Sequence, residues 1–308
     1  MPVYNTSKYL ERCLNSLAKQ TLKDLEVIIV DDGSSDNSGL ICDIYANRYH
    51  NFKVIHQSNK GSALARQAGL DVAKGEYIIV CDSDDWVEPD MYEKLYKAAK
   101  LQNADMVLCG FYCEYPDGRS IPTQKWFSHL DFEGHVKELM GSTYNNSWIR
   151  LIRRSLFINN NIRYEPNINL GEDALILYKI LKYKPKIIQI NEKLYHYRKI
   201  YGSSSYTNSI TMSQIYKSIH IREWIKNNYD NTIFAEGIYR LTINHIFTCL
   251  RARDTNRKYV NNILKTELSW SKFFKYKKFS KAIIVYMSKL FPIMIISSFI
   301  KILYKYIY

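Results

Sequence analysis

The segment EVIIVDDGSS, residues 26–35, is a short apolar run that ends in two aspartates, a glycine and two serines. A run of this length between charged residues is typical of a strand that is buried in a parallel sheet and stops at a polar edge. The segment YIIVCDSDD, residues 77–85, repeats the pattern. Because ligands of open parallel sheets bind outside the carboxyl ends of the strands, both acidic clusters are predicted to lie along one functional edge.

Helices are predicted between these strands because apolar residues recur there at helical spacing. The predicted helices cover residues 9–20, 36–49, 62–73 and 89–100, further strands are predicted at 52–55 and 106–109, and residues 1–5 are predicted to end a first strand. Alternation of strands and helices predicts an α/β, Rossmann-like fold, with a mostly parallel sheet flanked by helices.

Charge is distributed unevenly along the 308 residues, whose net charge is +13. Residues 1–110 hold 12 Lys and Arg against 16 Asp and Glu, whereas residues 111–308 hold 31 against 14. A basic second half attracts an anionic partner, which is nucleic acid, anionic lipid or a phosphorylated acceptor. The 46% apolar content predicts a globular core and excludes a disordered chain.

The end of the chain combines lysine with apolar residues. Residues 272–308 contain eight lysines and no acid, and the chain is predicted to be mostly helical from residue 211 onward. The longest uncharged apolar stretch there has 11 residues, 290–300, and contains a proline. Since about 20 residues are needed to span a bilayer, a transmembrane helix is excluded and a helix lying in the membrane interface is predicted.

The six cysteines have no C-x-x-C spacing and no His-rich partner segment. Neither a zinc site nor a disulfide framework is indicated. No leader segment is recognised before the first motif, which predicts a cytoplasmic protein.

The acidic clusters also predict a divalent cation. Several carboxylates at one sheet edge repel one another unless a cation is present, and Mg²⁺ and Mn²⁺ bind through one or two carboxylates plus substrate phosphates. The D-x-D spacing of Asp82 and Asp84 places two carboxylates on one side of an extended chain. The alternative is that these aspartates belong to ordinary turns and caps, as the acids at 172–173 would at a helix N-terminus.

A series of motifs in a fixed order resembles the inverting, GT-A type family 2 glycosyltransferases. The motifs are PVYN at 2–5, DDGSSD at 31–36, NKG at 59–61 with AR at 65–66, DSDD at 82–85, GEDA at 171–174 and YHYR at 195–198. The resemblance covers about residues 1–205 and implies a catalytic domain there. Residues 206–308 are then a helical, basic extension, with membrane association expected at about 272–308.

The resemblance implies roles for individual residues. Donor-binding roles are implied for Val3 and Tyr4 at the nucleobase, Asp32 on the base, Arg66 near the base or diphosphate, Asp82 at the ribose or sugar, and Arg198 at the diphosphate. Metal-binding roles are implied for Asp84, for Asp85 as its competitor, and for His196. Asp173 matches the catalytic base, and Glu172 is the second candidate. For His196 and Arg198 the alternative is an ordinary strand with amphipathic side chains.

The family resemblance implies transfer of a hexose or N-acetylhexosamine from a nucleotide sugar, expected to be a UDP-sugar, with inversion. The expected acceptor is a saccharide or polyprenyl-linked sugar in surface-polysaccharide assembly, the cofactor Mn²⁺ or Mg²⁺, and the location peripheral on the inner face of the cell membrane. A nucleotidyltransferase is an alternative that lacks the expected G-x-G-x-x-G loop. A basic nucleic-acid or membrane-binding protein is another, although lysines among Ile and Phe favour lipid over nucleic acid.

Overall fold

The computed structural model describes residues 1–124, 130–140, 144–166, 168, 171–200, 211–252, 254–276, 280–290, 293, 295–298 and 300. The chain forms two compact units. The first unit consists of residues 1–129 and 145–199, and the second unit of residues 130–144 and 200–308. Every motif from PVYN to YHYR lies in the first unit. The domain boundary expected near residue 205 falls outside the described residues, because 201–210 are not among them.

A three-stranded parallel sheet opens the first unit. Its strands, in the order β1-β2-β3, are β1 (Pro2–Val3), β2 (Val27–Asp31) and β3 (Phe52–His56). The accompanying helices are α1 (Ser7–Ala18), α2 (Ser38–Arg48) and α3 (Ser62–Val72). Ile29 and Val30 at the centre of β2 are fully buried, because helices cover both faces of the apolar run. The sequence-based prediction for residues 1–73 is therefore confirmed in outline.

A second sheet of six strands follows, and its order is β4-β8-β6-β9-β5 with β7 beside β6. The strands are β4 (Tyr77–Ile78), β5 (Trp86–Val87), β6 (Met106–Glu114), β7 (Ser120–Thr123), β8 (Arg150–Arg153) and β9 (Ile187–Arg198). The helices of this part are α4 (Met91–Gln102), α6 (Arg154–Asn159) and α7 (Glu172–Leu181). Only β6 and β9 pair in parallel, and the other pairs are antiparallel. Fewer strand pairs of this sheet are therefore parallel than the alternation of strands and helices in the sequence predicted.

The strand predicted at 77–81 is shorter in the structure, with ladder pairing only at Tyr77 and Ile78. A cavity of about 590 Å³ is lined by Ile28 of β2 and by Ile78, Ile79 and Val80. Among the described residues, β2 has no ladder with β4.

Strand β9 brings two distant motifs together. Its last residues pair with β5, with Trp86 opposite His196 and Val87 opposite Tyr195. The DSDD segment directly precedes β5, so the YHYR segment lies against it. The same end of β9 pairs with β6, where Glu114 is opposite Arg198.

The second unit is helical. Its described helices are α5 (Phe132–Met140), α8 (Met212–Asn228), α9 (Ala235–Arg251), α10 (Arg257–Thr266), α11 (Trp270–Tyr276) and α12 (Ser280–Leu290). Residues 130–144 belong here because α5 packs on α9: Gly237 lies close to the Met140 side chain, and Arg240 pairs with Glu138 at 2.8 Å. No helix among the described residues combines the length and the apolar character that a bilayer span requires.

The lysine-rich end of the chain contributes to the core of the second unit. Ala282, Val285 and Tyr286 are buried in α12, and Ile296 beyond it is buried too. The other face is exposed, and it presents large apolar side chains at Phe274, Ile283, Leu290 and Ile295. The described part of α12 therefore packs into the core on one side and is exposed on the other.

Candidate active site

The PVYN and DDGSSD segments form one clasped pair of loops at the carboxyl ends of β1 and β2. Asn5 has a positive φ of 50°, and its Oδ1 accepts the backbone N–H groups of Ser35 and Asp36 at 2.8 and 3.3 Å. Burial alone would raise the pKa of Asp36, but hydrogen bonds from Ser38 and Ser7 outweigh it and lower that pKa to about 2. The clasp holds the loop backbone at the sheet edge.

Asp32 is buried at this edge and fixes the loop that follows β3. Its carboxylate accepts the Gln57 side-chain amide at 2.6 Å and the backbone N–H groups of Lys60 and Gly61 at 2.9 and 2.8 Å. Gly33 has a φ of 73°, and a Cβ there would lie 2.8 Å from the backbone nitrogen of Asn59. The NKG motif is therefore held against the DDG turn.

Val3 and Tyr4, both expected at the nucleobase, differ in exposure. The Val3 side chain is 1% exposed and belongs to the core, whereas Tyr4 is 50% exposed. Val3 contributes its carbonyl, which accepts the Asp32 backbone N–H at 2.8 Å. Because its side chain is enclosed by core residues, Val3 does not offer the open side-chain surface that was expected, and Tyr4 does.

Arg66 joins three acids from two distant motifs. Its buried guanidinium donates to Glu172 Oε1 at 2.6 Å and to Asp82 Oδ1 at 2.8 Å, and it lies 3.6 Å from Asp173 Oδ1. Ser62 also donates to Glu172, at 3.2 Å. The DSDD and GEDA segments are therefore both tied to α3.

Asp173 lies in the first turn of α7, beside Arg66 and Ser147. The Ser147 hydroxyl donates to Asp173 Oδ1 at 2.8 Å. Burial raises the pKa of Asp173 to about 6, against the lowering effect of Arg66 and with a further rise from Glu172. A carboxylate with a raised pKa, which accepts the Ser147 hydroxyl and forms an ion pair with Arg66, is suited to accept a proton.

The three aspartates of DSDD have different surroundings. Asp85 is fully buried, and its two oxygens accept the Tyr195 hydroxyl and the Arg198 backbone N–H, each at 2.7 Å. Burial, followed by repulsion from Asp84, raises the pKa of Asp85. Burial and then repulsion from Asp82 raise the pKa of Asp84 to about 6. Asp85 thus ties DSDD to β9, which leaves Asp84 as the better metal ligand of the two.

His196 is held away from a metal-binding role. Its Nδ1 lies 2.7 Å from Glu114 and its Nε2 lies 2.9 Å from Glu88, so both ring nitrogens already have carboxylate partners. The ring is stacked between Trp86 and Tyr112 at centroid distances of 4.9 and 5.1 Å. Its implied metal role is therefore not supported, because a ligating imidazole needs one free nitrogen.

Divalent-metal binding rests on few protein ligands here. No group of three or more His, Cys, Asp or Glu side chains within the described residues is arranged to hold a metal ion. The repulsion between Asp82 and Asp84 nevertheless fits a cation at Asp84. Mg²⁺ and Mn²⁺ commonly use one or two carboxylates and complete their coordination with substrate phosphates and water, so the residues present fit such an ion.

Residues 1–160 match the family described as Glycosyl transferase family 2. The chain belongs to this family. It is 37% identical over 218 residues to the glycosyltransferase GlyG of Streptococcus pneumoniae serotype 4, covering 66% of this chain and 70% of GlyG. It is 34% identical over 204 residues to EpsJ of Bacillus subtilis, described as an uncharacterized glycosyltransferase, covering 64% of this chain and 59% of EpsJ.

Solved structures show the same fold. Staphylococcus aureus TarS 1–349 in complex with UDP-GlcNAc superimposes with a TM-score of 0.68 at 21% identity, covering 94% of this chain and 89% of that one. The mannosyltransferase PcManGT from Pyrobaculum calidifontis, in complex with GDP-Man and Mn²⁺, gives a TM-score of 0.58 at 14% identity and covers 94% of this chain and 85% of that one. The predicted GT-A-like fold is confirmed.

Two residues of this glycosyltransferase site were not singled out from the sequence. Ser147 holds Asp173, and Tyr195 holds Asp85. Tyr195 stands in the YHYR motif, so its place was marked although its role was not. Ser147 precedes Trp148, whose ring stacks on Tyr195 at 4.3 Å, and nothing in its own sequence context distinguishes it from an ordinary loop serine.

Proposed function

We propose that this glycosyltransferase moves a sugar from a UDP-sugar to a hydroxyl of a saccharide or lipid-linked acceptor, with inversion, in surface-polysaccharide assembly. The observation that carries the proposal is the meeting of Asp82, Glu172 and Asp173 at Arg66, next to Asp84. The complexes of TarS with UDP-GlcNAc and of PcManGT with GDP-Man and Mn²⁺ support a nucleotide-sugar donor and a divalent cation. Family membership gives no support to a nucleotidyltransferase or a non-enzymatic binding protein.

The chain's own residues account for the proton and the orientation of the reactants. The acceptor oxygen forms a bond to the anomeric carbon while the bond from that carbon to the diphosphate breaks, and the bonding electrons leave with the diphosphate. Asp173 takes the proton of the acceptor hydroxyl. Arg66 holds Asp82, which would contact the donor, and Asp173, which would contact the acceptor. When bound at Asp84, Mn²⁺ or Mg²⁺ would offset the negative charge of the leaving diphosphate.

A donor screen tests the proposed reaction. Purified protein is incubated with Mn²⁺ or Mg²⁺, a panel of UDP- and GDP-sugars and a lipid-extract acceptor, and nucleoside diphosphate release is recorded. We expect acceptor-dependent UDP release with a UDP-hexose or UDP-N-acetylhexosamine. Product anomeric configuration, read by NMR, tests inversion. Release of a nucleoside monophosphate in place of the diphosphate, or no release with any donor, would refute the proposal.

A matched pair of substitutions tests whether Asp84 or Asp85 binds the metal ion. Asp84→Asn is expected to weaken Mn²⁺ binding in the presence of UDP by about a hundredfold, because a metal-bound carboxylate is replaced by a neutral amide. Asp85→Asn is expected to lower the unfolding temperature, since its two accepted hydrogen bonds fix β9, and to leave Mn²⁺ affinity within about threefold. Calorimetric Mn²⁺ titration and thermal unfolding measure both. Metal binding that depends on Asp85 instead would reverse the assignment.

Membrane association is proposed for the second unit, through the exposed apolar side chains of Phe274 on α11 and of Ile283 and Leu290 on α12. Eight lysines and no acid in 272–308 complement an anionic lipid surface. Deleting this segment would remove core residues, so surface substitutions make a cleaner test.

The triple variant Phe274→Ser, Ile283→Ser, Leu290→Ser is expected to reduce sedimentation with vesicles of about 30% anionic lipid by about tenfold or more. Ile233→Ser is the control, because that side chain is also exposed in the second unit but lies outside the lysine-rich segment. High salt should weaken the remaining binding. Equal sedimentation of both variants and the parent protein would rule this face out.

A further inference from the structure

Two arginines from distant parts of the first unit converge on one tryptophan ring. The guanidinium carbon of Arg12, on α1, lies 3.3 Å from the centroid of the Trp86 ring, and that of Arg198, at the end of β9, lies 4.8 Å from it. Arg198 also lies 5.0 Å from the Tyr9 ring centroid. His196 stacks in parallel with Trp86, and Glu88 and Glu114 are bonded to that imidazole.

Neither guanidinium forms a salt bridge with a carboxylate within the described part of the chain, although the charges of Glu114 and Asp84 interact with Arg12 and Arg198 respectively. Neither Arg12 nor Arg198 has an ion pair there, and the one side-chain hydrogen bond of Arg198 goes from Nε to the backbone carbonyl of Asp84 at 2.9 Å. Desolvation, and then the nearby charge of Arg198, lower the pKa of Arg12 more than the charge of Glu114 raises it. Two guanidinium groups held side by side without a salt bridge favour an anion between them, and guanidinium groups match phosphate oxygens in geometry.

The pair lies at the Asp84 end of the DSDD segment. Arg66, Glu172 and Asp173 are gathered at the Asp82 end, two residues earlier in the chain. In an inverting transfer the base and the leaving group are on opposite sides of the reacting carbon. Given the proposed function, in which a cation at Asp84 meets the diphosphate, Arg198 lies next to that position through its bond to the Asp84 carbonyl, and Arg12 lies beside Arg198 on the Trp86 ring.

We propose that Arg12 and Arg198, held against Trp86, form a phosphate-binding pair of this enzyme. Arg12 is the new element, because no motif marked it. The phosphate is that of the donor's diphosphate or one carried by the acceptor. Arg12 binds it from α1 while Arg198 binds it from β9, so that the anion also links the PVYN half of the site to the YHYR strand.

Calorimetric binding of UDP, uridine and inorganic diphosphate to Arg12→Gln tests the pair. We expect the affinity for UDP and for diphosphate to fall by about tenfold, the loss of one charge-assisted contact, while uridine binding stays unchanged. Arg119→Gln is the matched control, since it removes the same charge from an exposed turn of the first unit. Its binding constants should equal those of the parent protein. Equal effects of both substitutions would overturn the proposal, as a general charge effect would explain them.

A second experiment shows whether the bound phosphate belongs to the donor or to the acceptor. If Arg12→Gln leaves UDP affinity intact but raises KM about tenfold for a phosphate-bearing acceptor and not for its dephosphorylated form, the pair serves the acceptor. If Arg12→Gln matches the parent protein in both arms, the proposal fails. Absence of UDP binding by the parent protein would instead reject the proposed function, so the two failures are distinguishable. Circular dichroism of each variant confirms that its fold is intact.

Discussion

Asp173→Asn is expected to reduce kcat for sugar transfer by about 10²–10⁴-fold while UDP affinity changes by less than about twofold. The amide keeps the shape of the side chain, and its oxygen still accepts the Ser147 hydroxyl, but it cannot take a proton. The measurement is steady-state UDP release together with calorimetric UDP binding. Unchanged transfer would move the base to another residue, of which Glu172 is the first to test through Glu172→Gln.

The pH profile gives the same prediction an independent readout. The pKa of Asp173 is about 6, so the base is ionised above that pH and protonated below it. We expect kcat/KM to rise with pH through about 6 and to level off above it. Ser147→Ala should move this limb to higher pH, because the serine hydroxyl lowers the pKa of Asp173. An acidic limb at the same pH in Ser147→Ala and in the parent protein would contradict the assignment of Asp173 as the base.

Arg66→Met is expected to destabilise the protein by about 3–5 kcal/mol and to lower kcat by at least about a hundredfold. The substitution leaves Asp82, Glu172 and Asp173 close together without their shared cation. Arg66 lowers the pKa of Asp173, so its removal should raise that pKa and shift the acidic limb of the remaining activity to higher pH. Urea unfolding and the pH profile measure the two effects.

Two control substitutions distinguish the effect of losing Arg66 from the effect of losing an exposed ion pair. Arg66→Lys keeps one charge but cannot donate to two carboxylates in fork geometry, so it should recover part of the stability and little of the activity. Arg163→Met breaks an exposed pair with Asp71, and its effect on stability should be small. An Arg66→Met protein with parent stability and an unshifted pH limb would show that the three acids do not depend on Arg66.

The sequence predicted the first half of the fold because its signals are local. The apolar run before Asp31 and the helical spacing after it are set by burial in a sheet covered on both faces, so β2, α2, β3 and α3 lie near their predicted positions. Strand direction is not encoded in this way. The antiparallel pairing of β8 with β4 and β6 depends on contacts between residues far apart in the chain.

The sequence predicted which motifs form the site, but not which side chains within them bond to one another. Asp32 and Asp82 follow apolar runs of the sequence, and Asp173 lies in the first turn of a helix. Acidic residues at such positions are recognisable from the sequence alone. Asp84 could be preferred over Asp85 as the metal ligand only once the structure showed that the Tyr195 hydroxyl donates to the Asp85 carboxylate. Likewise, the pairing of His196 with two glutamates depends on the register of β9 against β5 and β6, which the sequence does not reveal.

The central claim is that Asp84 holds the cation of the donor complex while Asp173 faces the donor across the reacting carbon. A crystal structure of the protein with UDP and Mn²⁺, with the ion located by anomalous scattering, tests it most directly. We predict a manganese peak coordinated by the Asp84 carboxylate and the diphosphate, with the Asp173 carboxylate directed toward the donor-sugar position. Manganese bound away from Asp84, or an Asp173 carboxylate that points away from the donor, would contradict the account.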